Sequence, residues 1–200
     1  MNTRITAVLL STLTTFVYSP AHAQTTEPET VTLLPTDDGT VLDEFPFDGF
    51  ANVLDNEFVV VNLTSVEPVS EALSDRRGVM EFDLSSIAGR SVRRAILKLR
   101  PTVIGVPDGS FVVPIEVRKY RGNGTLGLAD FHRGTFVTAF DMRSIPIDRP
   151  TRLNLTKAVR NALSHHWKYL GLTLRTNIQA GVSFSALEHP PSATLVITLD

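Results

Sequence analysis

The side chains able to do chemistry gather in a few places along the 200-residue chain. Asp37, Asp38, Asp43, Glu44, Asp48, Asp55 and Glu57 crowd a stretch free of basic residues. Such carboxylates are the oxygen ligands calcium prefers, so Asp37, Asp38 and Asp43 are candidates for a structural calcium; the plainer alternative is a solvated acidic loop. RGNGTLGLADF sets Asn123 and Gly124 ahead of Asp130, like the end of an EF-hand loop. Placing Gly124 at loop position 6, however, puts Lys119 and Arg121 where the ion needs carboxylates, and Asp130 where it needs a bidentate Glu. That segment therefore reads as a glycine-permitted turn.

His165, His166 and Trp167 are adjacent, and Trp167 is the only tryptophan. Neighbouring helical positions point about 100° apart, so the two histidines are poorly placed to share a metal and better placed to complement a helix C-terminus. An exposed indole would stack on a sugar ring. Arg77 and Arg175 carry forks that fit a uronate carboxylate, and Glu188 can accept from sugar hydroxyls; the competing role is an Arg–Glu pair tying strands together. Tyr120 and Tyr169 are further stacking candidates. No catalytic residue is assigned. Glycoside hydrolysis needs two carboxyls across a cleft, and outside the acidic loop no feature of the sequence pairs them. Ser185 and His189 lack a G-x-S-x-G elbow.

Positioning these groups falls to strands. Met80, Phe82 and Leu84 alternate with Glu81 and Asp83, and Ala95, Leu97 and Leu99 alternate with Ile96, Lys98 and Arg100. A short polar turn joins the two runs, and each needs an apolar layer over it. Further strands are predicted at 31–34, 58–63, 113–120, 136–140, 151–153 and in three closing runs around Leu172, Phe184 and Ile197. Pro114 lacks a donor and marks a sheet edge or bulge. Residues 37–57 read as a loop and 121–135 as a glycine-rich connection. Leu155, Ala158, Val159, Ala162 and Leu163 follow a helical period behind Asn154 or Thr156 as cap. The expectation is an all-β, two-layer antiparallel, jelly-roll-like β-sandwich with one short amphipathic helix, about 154–166, over one end.

Arg4, an apolar stretch over 5–17 and Ala21-His22-Ala23 read as a cleavable signal peptide, 1–23, followed by a flexible leader, 24–30, and a single sandwich domain, 31–200. Nothing approaches the roughly 20 apolar residues of a membrane span, so no membrane insertion is expected and the mature protein should be periplasmic or extracellular. Cysteine is absent, which excludes thiolate catalysis and disulfides. Residues 24–89 hold 14 acidic against 2 basic residues, and 90–200 hold 7 against 16. Interleaved strands would mix these charges; a basic face for an acidic polymer is the sharper alternative. Nucleic acid is not expected as a partner.

Five ordered segments, RGVMEFDLSSIAG, RRAILKLRP, YRGNGTLGLADF, LNLTKAVRNAL and GVSFSALEHPPSATLVIT, together resemble the DNRLRE-type secreted β-sandwich family. The resemblance spans most of the mature chain and is weakest over 37–57. It implies a non-catalytic, carbohydrate-binding-module-like protein in contact with polysaccharide, and it does not name the sugar. The function expected is an exported, non-catalytic carbohydrate-binding protein, with anionic extracellular polysaccharide a candidate ligand. A structural or adhesive surface protein binding another protein, and a polysaccharide lyase or hydrolase, are the alternatives. No cofactor is expected beyond a structural calcium.

Overall fold

The structure is a computed structural model that describes residues 27–44, 51–54, 58–63, 74–105, 114–131, 133–141, 144, 147, 149–177, 180–185 and 193–200. The expected signal peptide, 1–23, and residues 24–26 of the expected leader lie outside them, as do Glu188 and His189. In chain order the elements are β1 Thr30–Leu33, β2 Asp37–Glu44, β3 Ala51–Leu54, β4 Phe58–Leu63, β5 Ser74–Asp83, β6 Val92–Leu99, β7 Pro101–Gly105, β8 Pro114–Arg121, β9 Thr135–Asp141, β10 Thr151–Asn154, α1 Thr156–Ser164, β11 Tyr169–Arg175, β12 Ala180–Phe184 and β13 Thr194–Leu199.

All pairings are antiparallel, and the strands form two sheets rather than a barrel. The smaller sheet runs β1-β13-β6-β10; the larger runs β7-β12-β4-β5-β11-β8-β9, with β2 on β5 and β3 on β2. The fold is thus the expected all-β sandwich. Its two best-patterned strands are the hinge between layers. β5 belongs to the larger sheet and β6 to the smaller, and the polar turn between them, a 3-10 turn at Ser85–Ile87, crosses from one layer to the other. Met80, Phe82 and Leu84 therefore meet Ala95, Leu97 and Leu99 in one buried core, each strand supplying cover for the other. Leu170, Leu172, Leu174, Ile115, Val117, Leu195 and Ile197 complete it.

α1 closes one end of this core with Leu155, Ala158, Val159 and Ala162, all buried. At its start Asn154 Oδ1 accepts from the Thr156 amide at 3.0 Å, while Thr156 Oγ1 accepts from the Ala95 amide of β6 at 3.0 Å. The N-cap position is Leu155, which makes no side-chain cap bond, so neither Asn154 nor Thr156 caps the helix; the two contacts instead tie its first residue to β10 and β6 of the smaller sheet. Pro114 opens β8 rather than marking an edge, since β8 lies between β11 and β9; the bulge sits further on, between Val117 and Arg118.

The acidic stretch is the main departure from expectation. Residues 37–44 form a strand, β2, and 51–54 form β3. Gly78 of β5 partners both Thr40 and Leu174, so β2 and β11 take opposite edges of β5. Asp37, Asp38, Gly39 and Asp43 are poor strand formers by composition, and the hydrogen-bonding edge of the ten-residue β5 overrides that preference. Because Phe82 is fully buried between the layers, Phe82→Ala should cost about 3–5 kcal/mol. Urea unfolding of wild type and variant measures this, and an unchanged midpoint would contradict the placement of the core.

Candidate functional site

Alternation along β5 sends Arg77, Val79 and Glu81 away from the main core, toward the outer face of the larger sheet. That face is not open to water over its central part. Residues 122–131 and 133–134 cross it, carrying a 3-10 turn at Leu128–Phe131, and Phe131 of this strap closes a second small apolar cluster with Val41, Val79 and Tyr120 of the sheet. Glu81 points outward as the sequence pattern requires, and it is nevertheless fully buried.

The strap is held by side chains of the sheet that reach its backbone. Glu81 Oε2 accepts from the amides of Asn123, at 3.0 Å, and Gly124. Asp37 Oδ2 accepts from the Leu126 amide at 2.7 Å. Arg77 donates to the Phe131 carbonyl, and its guanidinium carbon stands 3.8 Å from the centroid of the Phe131 ring. Arg118 Nε donates to the Gly134 carbonyl at 3.0 Å. The sheet thereby satisfies backbone groups that the irregular segment cannot pair within itself.

Two glycines make the close approach possible. A methyl at Gly122 would lie 2.5 Å from the Glu81 carboxyl carbon, and one at Gly171 would lie 2.2 Å from Cζ of Tyr120. Asp130 enters from the strap, buried, with Oδ2 accepting from the Gly127 amide at 2.8 Å and Oδ1 3.2 Å from Arg133. Burial raises the Glu81 carboxyl above its ordinary value of 4.5 against the opposing pull of the Gly124 amide, and the negative charge of Asp130 adds to the rise. Burial likewise lifts Asp130 above 3.8. Tyr120, buried beside both acids, is held far above the usual phenol range. Its hydroxyl acts on Glu81 as a neighbouring donor, but neither that hydroxyl nor Glu81 Oε1 completes a well-formed hydrogen bond.

Two carboxyls thus come together outside the acidic stretch, which the sequence did not reveal. Both are buried where strap and sheet meet, whereas the carboxyl pair of a glycosidase faces an open cleft. The other residues singled out from the sequence divide between this face and the helix end. Arg77 pairs with Asp75 at 2.7 Å. Arg175 holds Glu116 Oε2 through Nε at 2.9 Å and through a terminal nitrogen at 2.8 Å, with Arg118 on the same oxygen at 3.2 Å. This is the strand-tying ion pair rather than a free fork. Burial would raise Glu116, and the Arg175 and Arg118 guanidiniums outweigh it, leaving the carboxyl below its ordinary value. Tyr169 packs against Gly124, with the Lys168 ammonium 4.9 Å from its ring centroid.

Of the calcium trio, Asp37 and Asp38 do not converge. Asp37 and Asp38 are consecutive strand residues directed to opposite faces of the larger sheet, Asp37 opposite Glu81 and Asp38 opposite Met80. The Asp43 side chain lies outside the described residues. Among the described residues no group of three potential ligands converges. At the other end of the molecule, His165 Nδ1 lies 2.8 Å from the Asn161 carbonyl at the end of α1, the role a helix C-terminus invites. Trp167 is partly buried against the main core, with the Lys119 ammonium 5.5 Å from its ring centroid. Its remaining edge lines a depression of about 260 Å³ with Leu84, Leu163, Ser85, His166 and Lys168. A second depression, of about 370 Å³, shares Gly89, Leu163 and His166 with it and runs on to Arg90 and Arg160. The sequence pointed to Trp167 by type; the contribution of Leu84 and Ser85 depends on the β5–β6 crossing.

No protein-family model matches the chain, and no curated protein matches it.

The buried acids set a direction for stability. A carboxyl raised in the folded state binds its proton more tightly there than in the unfolded chain. The stability from Glu81 is therefore full below about 4.5 and lost as pH rises through its raised value; Asp130 behaves alike. Glu116 and Asp83, both lowered, act oppositely: they contribute stability above their ordinary values and lose it as pH falls through the lowered ones. Urea midpoints should accordingly fall from about pH 4.5 toward neutrality, and Glu81→Gln should flatten that decline. Equal slopes for wild type and variant would contradict the buried state of Glu81.

Proposed function

We propose that the chain is an exported, non-catalytic carbohydrate-binding protein of the DNRLRE type, and that the Trp167 depression is its sugar site. The observation that carries this reading is the composition of that depression. Apolar residues, Leu84, Leu163 and Trp167, meet a small set of polar ones, Ser85, His166 and Lys168, in its lining. A pyranose has the matching character: a C–H face for the indole and hydroxyls for the polar rim. The five family-like segments point the same way, and two of them, RGVMEFDLSSIAG and LNLTKAVRNAL, supply Leu84, Ser85, Ala88, Gly89 and Leu163 to the depression. The non-catalytic part of the proposal draws support from the burial of Glu81 and Asp130 under the strap. Among the described residues no helix is long and apolar enough to cross a membrane.

Affinity electrophoresis through gels containing neutral or acidic polysaccharides tests the proposal. At least one polymer should retard the wild type, and Trp167→Ala should weaken retention about tenfold. Because Trp167 also packs on the core, Lys168→Ala, an exposed change at the same rim, provides a second reading and should weaken retention without lowering the melting temperature. Arg175→Ala should leave retention intact, since its partner is Glu116. Retention that neither Trp167→Ala nor Lys168→Ala alters would overturn the site.

A further inference from the structure

The outer face of the smaller sheet carries charge that nothing on it balances. Inward positions of β6 are Ala95, Leu97 and Leu99, so Arg94, Ile96 and Lys98 point out. Register extends this face across the sheet. Lys98 stands opposite Arg152 of β10 on one side and Thr194 of β13 on the other; Ile96 stands opposite Asn154 and Val196; Arg94 stands opposite Thr198. Opposite residues on neighbouring strands lie about 5 Å apart, and successive outward residues about 7 Å apart along a strand. No Asp or Glu occurs in β1, β6, β10 or β13, and neither Arg94, Lys98 nor Arg152 forms an ion pair among the described residues.

Folding does not explain the arrangement. Like charges directly opposite across two strands destabilise the pair, and Lys98 faces Arg152 in register. Elsewhere in this molecule arginines on a sheet face are matched by carboxylates, as Arg175 and Arg118 are by Glu116. We infer that the outer face of the smaller sheet binds an anionic polysaccharide, with Arg94, Lys98 and Arg152 meeting its carboxylate or sulfate groups and the Ile96–Val196 strip lying under its sugar rings. This deepens the carbohydrate-binding reading, on which it rests, by giving the polymer a charge class and a second, extended contact surface. The fit is by charge complementarity: a sheet face of this kind offers fixed cations at strand and row spacings, interleaved with threonine hydroxyls and the Asn154 amide able to bond sugar hydroxyls. It carries no aromatic side chain on β1, β6, β10 or β13 for stacking bases, which favours polysaccharide over single-stranded nucleic acid.

Single charge reversals separate binding from stability, because Lys98→Glu or Arg152→Glu each turns the like-charge pair into an opposite-charge one. Affinity electrophoresis of the full chain in polygalacturonate, dextran sulfate and uncharged dextran gels, with melting temperatures measured in parallel, provides the test. The wild type should be retarded by polygalacturonate or dextran sulfate in low salt and released in 1 M salt, where the screening length falls to about 3 Å. Lys98→Glu and Arg152→Glu should each weaken that retention about tenfold while leaving the melting temperature equal or higher. Lys157→Glu, on the exposed side of α1, should leave polyanion retention unchanged. Equal loss in Lys157→Glu, full retention in both face variants, or tighter binding of poly(dT) than of either polyanion would overturn the inference. Neutral-polymer retention lost in Trp167→Ala, without polyanion retention, would refute this surface and leave the Trp167 site standing. Polyanion retention lost only in the face variants, with no effect of Trp167→Ala or Lys168→Ala on any polymer, would do the reverse.

Discussion

Everything about this sandwich turns on β5 being buried on both sides. Its inward residues, Met80 and Phe82, meet the smaller sheet, and its outward residues, Val79 and Glu81, are covered by the strap. A carboxyl in that position must find donors or remain protonated, because isolated buried charge is prohibitively costly. The Asn123 and Gly124 amides are those donors, and they belong to the segment that causes the burial. The strap and the acid therefore depend on each other: without Glu81 the strap loses its hold at Asn123 and Gly124, and without the strap Glu81 returns to water.

That dependence decides where ligands can be sought. The outer face of the larger sheet gathers Arg77, Tyr120, Tyr169 and Arg175, which by residue type look like a sugar site. Their groups are engaged internally, by Asp75 and Phe131, by the Gly171 surface, by Gly124 and by Glu116 respectively. The proposed contacts therefore fall at the α1 end, around Trp167, and on the smaller sheet. The uneven charge along the chain acquires a spatial meaning here. Both halves contribute strands to each sheet, but the acidic half gives the smaller sheet only its edge strand, β1, so the strands do not interleave there. Carboxylates of the acidic half, Glu81, Asp37 and Asp75, are drawn into the strap and its surroundings, while Arg94, Lys98 and Arg152 of the basic half share a face without acids.

The sequence made the layers legible because period-two alternation survives wherever one face is apolar. Met80, Phe82 and Leu84, then Ala95, Leu97 and Leu99, then Leu170, Leu172 and Leu174 all entered the core as that pattern demands. The helix was equally legible from Leu155, Ala158, Val159 and Ala162. β2 was hidden because its composition is that of a loop and its pairing partner is remote in sequence. The burial of Glu81 was hidden for a related reason. Alternation fixes which way a side chain points, and it carries no information about a distant segment folding over it. Trp167 was identifiable by type, while the walls around it required the crossing between sheets.

The most direct test of the central claim is amide hydrogen exchange at the strap. If Glu81 anchors it, the Asn123, Gly124 and Leu126 amides should exchange as slowly as neighbouring amides of β5 and β11, and Glu81→Ala should release Asn123 and Gly124 toward the rate of an unprotected loop. Rapid exchange of these amides in the wild type would contradict it, and would return the outer face of the larger sheet to the set of open surfaces.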